Sequence, residues 1–580
     1  MKKELLDELG IKEGEFSKLA KKADWLSEKA LYVNLSAIKR KFGLSGEQLG
    51  NVARRLDIVV SRDNIKKLGE LQERLGFSNE AFQKICEGSL DKLSLDVEFY
   101  EAVKERCGLT SDEILQLVTY SALSTRNITA DKIAENMMGF TNFGITRSQI
   151  CNRSYNLMYY PSSAAVRITF ASLCGFDPSS VLAVSGNVPN DIFCSRVLAE
   201  ESGLVEKGHI GAKSAASYQK STGVSDEDLT KLVPVSKREI VRAEQLFREK
   251  YPQFNNAFKI LGQNLIQFAE FDDSTIKSSS ADFTSANKHV LKERLKLSDD
   301  EIDKLYAGKE WVLDTDPNLF LHNLLFINRL VAYTSFKTVV SAYPDLLANA
   351  STKLIHLFKH LMDKYDMTVA EFALIVVEGR TLASLTPEAI DDRANFLKNK
   401  FGFTDYECGR LFARVFIIFT IPEDYLSEKI ESAMAFGFTQ RDLAMSELLS
   451  MNKGAIEYKV MLAMLNGMSK EEIIEPRICR VNPTCAYARR MARENGELDP
   501  EVSIYASNRF YKGVGRPIPD EYFEQKYPFD LTAKEQVKRA FAKEFPEIRE
   551  AFNLLRMRNL EDSEFGVVVA SSDYIEADGV

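Results

Sequence analysis

Two histidines, His356 and His360, stand four residues apart in Ile355-His356-Leu357-Phe358-Lys359-His360. On a helix that spacing puts both imidazoles on one face, which is how many metal sites begin. The glutamate of a metalloprotease helix is missing between them, and Asp363 is the one further ligand nearby, so no metal is expected. Gly208-His209-Ile210-Gly211-Ala212-Lys213-Ser214 has the glycines and the lysine of a phosphate loop, but Ala212 separates glycine from lysine and no strand precedes it. The eight cysteines (Cys86, Cys107, Cys151, Cys174, Cys194, Cys408, Cys479 and Cys485) are scattered and form no CxxC pair. They read as reduced, buried thiols of an intracellular protein. Cys479 and Cys485 flank Pro483 at a spacing unsuited to zinc, and no Gly-x-Ser-x-Gly elbow occurs. The chain is therefore not expected to be an enzyme, and no cofactor is expected.

The stronger chemistry is cationic. Between Arg477 and Arg516 lie Arg477, Arg480, Arg489, Arg490, Arg493, Arg509, Lys512 and Arg516. These eight stand against Glu494, Glu497, Asp499 and Glu501, a local charge of +4 in a chain of net charge -9. Guanidinium forks suit phosphate oxygens, and the interleaved Tyr487, Tyr505 and Tyr511 have faces on which bases stack. A solvated helical face paired with its own acids has the same composition. A second basic set, Lys39, Arg40, Lys41, Arg54 and Arg55, falls near helix ends, where cations favour the negative end of the helix dipole, and reads as structural.

These residues must be held by a scaffold, and the scaffold is written as a repeat. The chain has 580 residues, 45% of them apolar and 27% charged, with only 16 prolines. A bulky residue, Gly, an apolar residue and then Ser, Thr or Asp recur as Phe42-Gly43-Leu44-Ser45, Leu75-Gly76-Phe77-Ser78, Cys107-Gly108-Leu109-Thr110, Phe143-Gly144-Ile145-Thr146 and Cys174-Gly175-Phe176-Asp177. The pattern returns as Phe401-Gly402-Phe403-Thr404, Phe436-Gly437-Phe438-Thr439 and Asn466-Gly467-Met468-Ser469. Leu9-Gly10-Ile11 starts the series, and Thr222-Gly223-Val224-Ser225 fits it. Leu295-Lys296-Leu297-Ser298 and Tyr365-Asp366-Met367-Thr368 are variants without glycine. From Gly10 to Gly175 the glycine spacings are 33, 33, 32, 36 and 31, and from Gly402 to Gly467 they are 35 and 30.

Each part of the pattern has a mechanical reason. Glycine supplies the left-handed residue past a helix end. The next apolar side chain packs back on that helix, and Ser, Thr or Asp caps the following one. A second cap falls in mid-repeat, as in Ser61-Arg62-Asp63, Ser94-Leu95-Asp96, Thr386-Pro387-Glu388 and Thr420-Ile421-Pro422-Glu423. The helix over 64–75 shows the apolar spacing Ile65, Leu68, Leu71, Leu75. One helix pair cannot bury its apolar face alone, so an all-α solenoid of two-helix repeats of about 30 to 36 residues is expected. The expected organisation is an N-terminal array over 1–230, a degenerate or inserted helical region over 231–345, a C-terminal array over 346–500, and a cap and tail over 501–580. Ser274 to Ser285 reads as a loop. A helix is expected over Thr532 to Phe545, a second from Glu547, and a β-prone stretch over Phe565 to Val569.

The period near 35, the Gly turn and the mid-repeat cap resemble the mitochondrial transcription termination factor (mTERF) family. The best-matching stretch runs from Leu385 to Tyr511. Leu385-Thr386-Pro387-Glu388-Ala389-Ile390 followed by Phe401-Gly402-Phe403-Thr404 looks like one unit of that family. Arg477, Arg480, Arg489-Arg490, Gly496 and Asn508-Arg509-Phe510 are similar to its C-terminal end. The resemblance implies a superhelix of left-handed helical units whose concave face binds DNA or RNA through its phosphates. The acidic net charge points instead to a protein-interaction scaffold that takes a protein partner in its groove. The N-terminus Met-Lys-Lys-Glu-Leu-Leu-Asp-Glu has neither a signal-peptide core nor the character of a transit peptide. No apolar run reaches the roughly 18 residues of a membrane span. A cytoplasmic protein without membrane partners is expected.

Overall fold

The computed structural model describes residues 3–23, 26–53, 61–88, 96–120, 129–153, 157, 161–177, 181–182, 188–212, 214–270, 281–331, 336–378, 385–475, 481–498 and 520–548. Among these the chain is helical, with turns and short 3-10 segments between helices and no strand. It divides into two compact units, Met1–Thr352 and Lys353–Val580. No described helix is long and apolar enough to cross a membrane.

The recurring turn is built as its residues require. Gly43, Gly76, Gly108 and Gly402 follow their helices with φ of 63, 73, 60 and 76°. The apolar residue after the glycine donates its amide back into the helix: Phe77 N–H reaches the Gln72 carbonyl at 2.9 Å and Leu109 N–H the Lys104 carbonyl at 2.9 Å. That closes the six-residue loop of a Schellman turn and buries Phe77 and Leu109. The hydroxyl two residues past the glycine then caps the next helix. Thr404 accepts from Glu407 N–H at 3.2 Å while the Glu407 carboxylate accepts from Thr404 N–H at 2.8 Å. Thr439 with Asp442 and Ser469 with Glu472 repeat that reciprocal box. The two variants without glycine keep the geometry. Lys296 and Asp366 are the two described non-glycine residues with positive φ, at 56 and 51°.

In the first unit the helices before the turns pack on one another in sequence: Glu28–Phe42, Arg62–Leu75, Val97–Cys107, Ala130–Thr141 and Pro161–Leu173. The helices after the turns form a second row, Gly46–Ala53, Asn79–Gly88, Ser111–Tyr120 and Arg147–Cys151. Leu68, Leu71 and Leu75, three of the four residues expected on the inner face of Arg62–Leu75, are fully buried. In the second unit Val369–Glu378, Asp405–Arg414 and Gln440–Ala444 pack in one row, and Glu423–Ala435, Lys453–Met464 and Pro483–Glu494 in another.

The stretch between about 231 and 345 does not simply extend these rows. Helix Lys237–Lys250 packs against Pro161–Leu173, and Asn255–Ala269 against Pro317–Leu330 and Ala130–Thr141. Part of the expected loop at Ser274 to Ser285 is helical, because Ala281–Leu295 begins there. Phe283 and Asn287 on it are buried, and Asn287 donates to the carbonyls of Leu313 and Thr315 at 2.9 and 2.7 Å. Polar composition suggested a loop, but those tertiary contacts favour the helix. The helix expected over Thr532 to Phe545 is found as Leu531–Glu544. Phe565 to Val569 lie outside the described residues.

Candidate functional site

The arginine-rich region is built on helix Pro483–Glu494, started by Pro483 and capped by Asn482, which accepts from Thr484 N–H at 3.0 Å. Its Cys485, Ala488 and Ala492 are buried, which places Arg489 on the inner face as well. Arg489 makes a fork to Asp520, Nε to Oδ1 and Nη2 to Oδ2, both 2.7 Å, with its side chain 2% exposed. Arg490 lies on the outer side and pairs with Glu494 at 2.8 Å, one turn on. Arg493 donates to Asn466 Oδ1 in the preceding Gly turn. Tyr487 packs its ring on Phe529, 4.9 Å between centroids. All three described arginines of this cluster are thus engaged within the second unit. Arg477, Arg480, Arg509, Lys512 and Arg516 lie outside the described residues, as do Tyr505 and Tyr511.

The other candidates are also absorbed by the fold. His360 meets Asp391 at 2.8 Å, and the same carboxylate accepts from Tyr365 at 2.6 Å and from Lys364 at 2.7 Å. Burial works against the Asp391 charge, but these donors outweigh it and hold the carboxyl down at about 2. His356 is exposed, and no group of three metal-ligating side chains occurs among the described residues. At the pseudo phosphate loop, the amides of Gly208 and His209 both donate to the buried Glu200 carboxylate, each at 2.7 Å. That nest is filled by the chain's own anion. Burial pushes the thiol of Cys107 up to about 11 and those of Cys151, Cys408 and Cys485 up to about 12, so none is a ready nucleophile. In the weaker basic set, Lys39 donates to the Glu8 carbonyl at 2.5 Å, at the end of helix Lys3–Leu9, and Arg40 to the Ser36 carbonyl at 3.4 Å. Lys41 stands 5.7 Å from the Phe42 ring centre. Arg54 and Arg55 lie outside the described residues.

Two classes of residue had no counterpart in the sequence reading. The first links neighbouring turns. Helices end with orphan carbonyls, and here a donor from the next repeat takes them. Gln83 Nε2 reaches the Gly43 carbonyl at 2.8 Å, Ser111 Oγ the Leu75 carbonyl at 3.0 Å, and Arg147 Nη1 the Gly108 carbonyl at 3.1 Å. Gln440 reaches the Phe401 carbonyl at 2.7 Å and Lys470 the Gly437 carbonyl at 2.8 Å. Ser111, Arg147, Gln440 and Lys470 all sit three residues after their own turn glycine. Gly46 holds the same position, and there backbone meets backbone at Gly10. The available signal was a hydrogen-bond donor directly after the N-cap.

The second class is buried charge between neighbouring helices. Arg410 and Glu371 pair at 2.7 Å with neither side chain exposed. Arg410 also donates to the Asp366 carbonyl at 2.7 Å and lies 4.5 Å from the Tyr406 ring centre. Arg196 forks onto Asp226 at 2.7 and 2.8 Å and stacks on Tyr218. Such pairs specify which helices meet more than they stabilise the fold.

On the row of second helices in the first unit, the exposed charged residues are Glu47, Glu80, Lys84, Asp112 and Arg147, mixed in sign with acids in excess. Cross-repeat ion pairs neutralise other charges in the first row, as in Arg74 with Glu98 and Glu101, and Arg106 with Asp131. The chain matches no protein-family model, no curated protein and no solved structure.

Proposed function

We propose that this protein is an α-solenoid interaction scaffold that presents its stacked helical rows to a protein partner. The observation that carries this reading is the disposition of charge. The described arginines of the most basic segment are committed to internal partners, and the exposed second-helix row of the first unit is mixed with an acidic excess. A surface that tracks a phosphate backbone needs unpaired cations in series. A repeat array with mixed charge suits a protein partner, whose recognition depends on complementary rather than uniform potential.

A second reading rests on the composition of 477–516 and on the likeness to the mTERF family. In it Arg477, Arg480, Arg509, Lys512 and Arg516 hold the phosphates of DNA or RNA. One experiment separates the two. The full chain is titrated with labelled duplex DNA, single-stranded DNA and RNA over a salt series, beside a variant carrying Ala at those five positions. Absence of binding at low salt, together with a stoichiometric protein complex cross-linked through Lys84 and the second-helix row, is the outcome expected of a scaffold. Salt-sensitive nucleic-acid binding that the variant loses overturns it in favour of the second reading.

A further inference from the structure

The turn at Gly144 differs from those before it. The Gly43, Gly76 and Gly108 turns are each closed by a polar donor from the next repeat. At Gly144 the neighbour is instead the ring of Phe254. Phe143 in that turn packs against Phe247, Phe254 and Phe258, with ring centres 6.4, 6.0 and 5.2 Å away, so an aromatic plug is seated at this turn. Phe247 and Phe258 lie on helices Lys237–Lys250 and Asn255–Ala269, about a hundred residues further along the chain.

The same layer is tied at a second place. Glu135 on helix Ala130–Thr141 sits between two cations, Lys132 at 3.1 Å and Arg329 at 3.2 Å. Arg329 belongs to helix Pro317–Leu330, and its guanidinium lies 3.4 Å from the ring centre of Phe268 on Asn255–Ala269. His322, on the helix of Arg329, stacks on the other side chain of this layer, Phe268, at 5.3 Å and meets the Ala269 carbonyl at 3.3 Å. Burial, opposed by the Ala269 carbonyl and reinforced by Arg329, holds His322 below its usual value. Two helices distant in sequence thus meet on one carboxylate, and the arginine that joins them is backed by a ring of a third.

We propose that helices Lys237–Lys250, Asn255–Ala269 and Pro317–Leu330 form an intramolecular cap over the 130–173 repeat, seated by the Phe143 plug and latched by Glu135 between Lys132 and Arg329. The two contacts divide the work. Apolar burial at the plug supplies adhesion without direction. The carboxylate between two partly buried cations supplies register, and it is the part that added salt or removal of its charge releases. Release uncovers the Phe143 turn and the face of the 130–173 helices.

The test is hydrogen exchange on the full chain for wild type, Glu135→Gln, and Phe254→Ala. Glu135→Gln keeps the size of the side chain and removes its charge. The expected result is exchange about ten- to a hundredfold faster in Asn255–Ala269 and Pro317–Leu330, with Glu28–Phe42 and Val97–Cys107 unchanged. Added salt moves the wild type the same way, and Phe254→Ala frees the same helices together with the Gly144 turn. Equal exchange in wild type and Glu135→Gln, or a rise spread evenly over the first unit, overturns the latch. If Phe254→Ala alone frees the helices, the plug holds them and the ionic part of the proposal fails.

Discussion

Gly409 sets two effects of opposite sign against each other. It lies inside helix Asp405–Arg414, where replacing glycine by alanine ordinarily stabilises by about 1 kcal/mol. Here a β-carbon would stand 2.5 Å from the Tyr365 carbonyl oxygen and 3.0 Å from the Tyr365 Cβ. Backbone cannot swing aside as a side-chain tip can. Helix Asp405–Arg414 and helix Leu346–Tyr365, which ends at that tyrosine, must part by several tenths of an ångström, and overpacking of this kind costs about 1–3 kcal/mol. The displaced carbonyl lies next to that of Asp366, which takes the Arg410 guanidinium, so the buried Arg410–Glu371 pair is strained as well. Gly409→Ala is therefore expected to destabilise its helix by up to about 2 kcal/mol net. Gly50→Ala is the control. It sits inside helix Gly46–Ala53 with no atom within 4 Å of the new carbon, and it should stabilise its own helix by up to about 1 kcal/mol. Because the chain has two units, a single unfolding free energy is ill defined. The readout is amide exchange helix by helix, where the change expected at Asp405–Arg414 is about tenfold faster. Slower exchange there, matching the direction at Gly50, would refute the claim that close backbone packing against Tyr365 selects glycine.

Other substitutions test the remaining parts of the argument. Lys429 is 2% exposed, and burial pushes its ammonium from 10.5 down to about 8, a penalty of about 3 kcal/mol at neutral pH. Lys429→Met should raise the melting temperature of the second unit at pH 7. Between about pH 8 and 10.5 the unfolded chain holds a proton that the folded one has released, so wild-type stability should climb through that window and the advantage of methionine should shrink. A constant difference across that range would show that Lys429 is not desolvated. Lys296→Gly relieves a left-handed lysine at φ 56° and should stabilise by up to about 1 kcal/mol in thermal unfolding, whereas a loss of stability would mean the side chain holds that turn. Arg489→Ala leaves Asp520 half-buried without its fork and should cost about 3–5 kcal/mol, most of it recovered in Arg489→Met/Asp520→Leu. Wild-type stability in the single variant would free Arg489 for a phosphate after all.

The fold was legible wherever local chemistry decided it. The turn needs a left-handed residue, an apolar anchor and a cap within four positions, so Phe77, Ser78 and Gly76 announce it unaided. Lys296 and Asp366 were readable as the same turn because the residues around them kept the pattern. What was not legible depends on distance along the chain. Arg489 looked available because its acid, Asp520, is 31 residues away and beyond the run of charge around it. Glu200 could not be paired with Gly208 and His209 until the helix before them was seen to aim its carboxylate at their amides. The return of Phe254 and Phe258 to Phe143 had no periodic signal, since a contact over more than a hundred residues is set by which apolar faces remain uncovered.

These misses share a cause that bears on the function. Helix-end carbonyls in this chain are met by long donors from the following repeat, as Arg147, Lys470 and Arg410 show. Arginine and lysine are therefore placed here for internal reasons as well. Basic composition alone is then a poor sign of phosphate binding. The informative arginine is one that stands neither three residues past a turn glycine nor opposite an acid of the next helix. Arg489 leaves the candidate interface by that criterion, and Arg493 leaves it because Asn466 holds it. Arg490 remains only as far as Glu494 releases it, and any nucleic-acid reading must rest on Arg477, Arg480, Arg509, Lys512 and Arg516 alone.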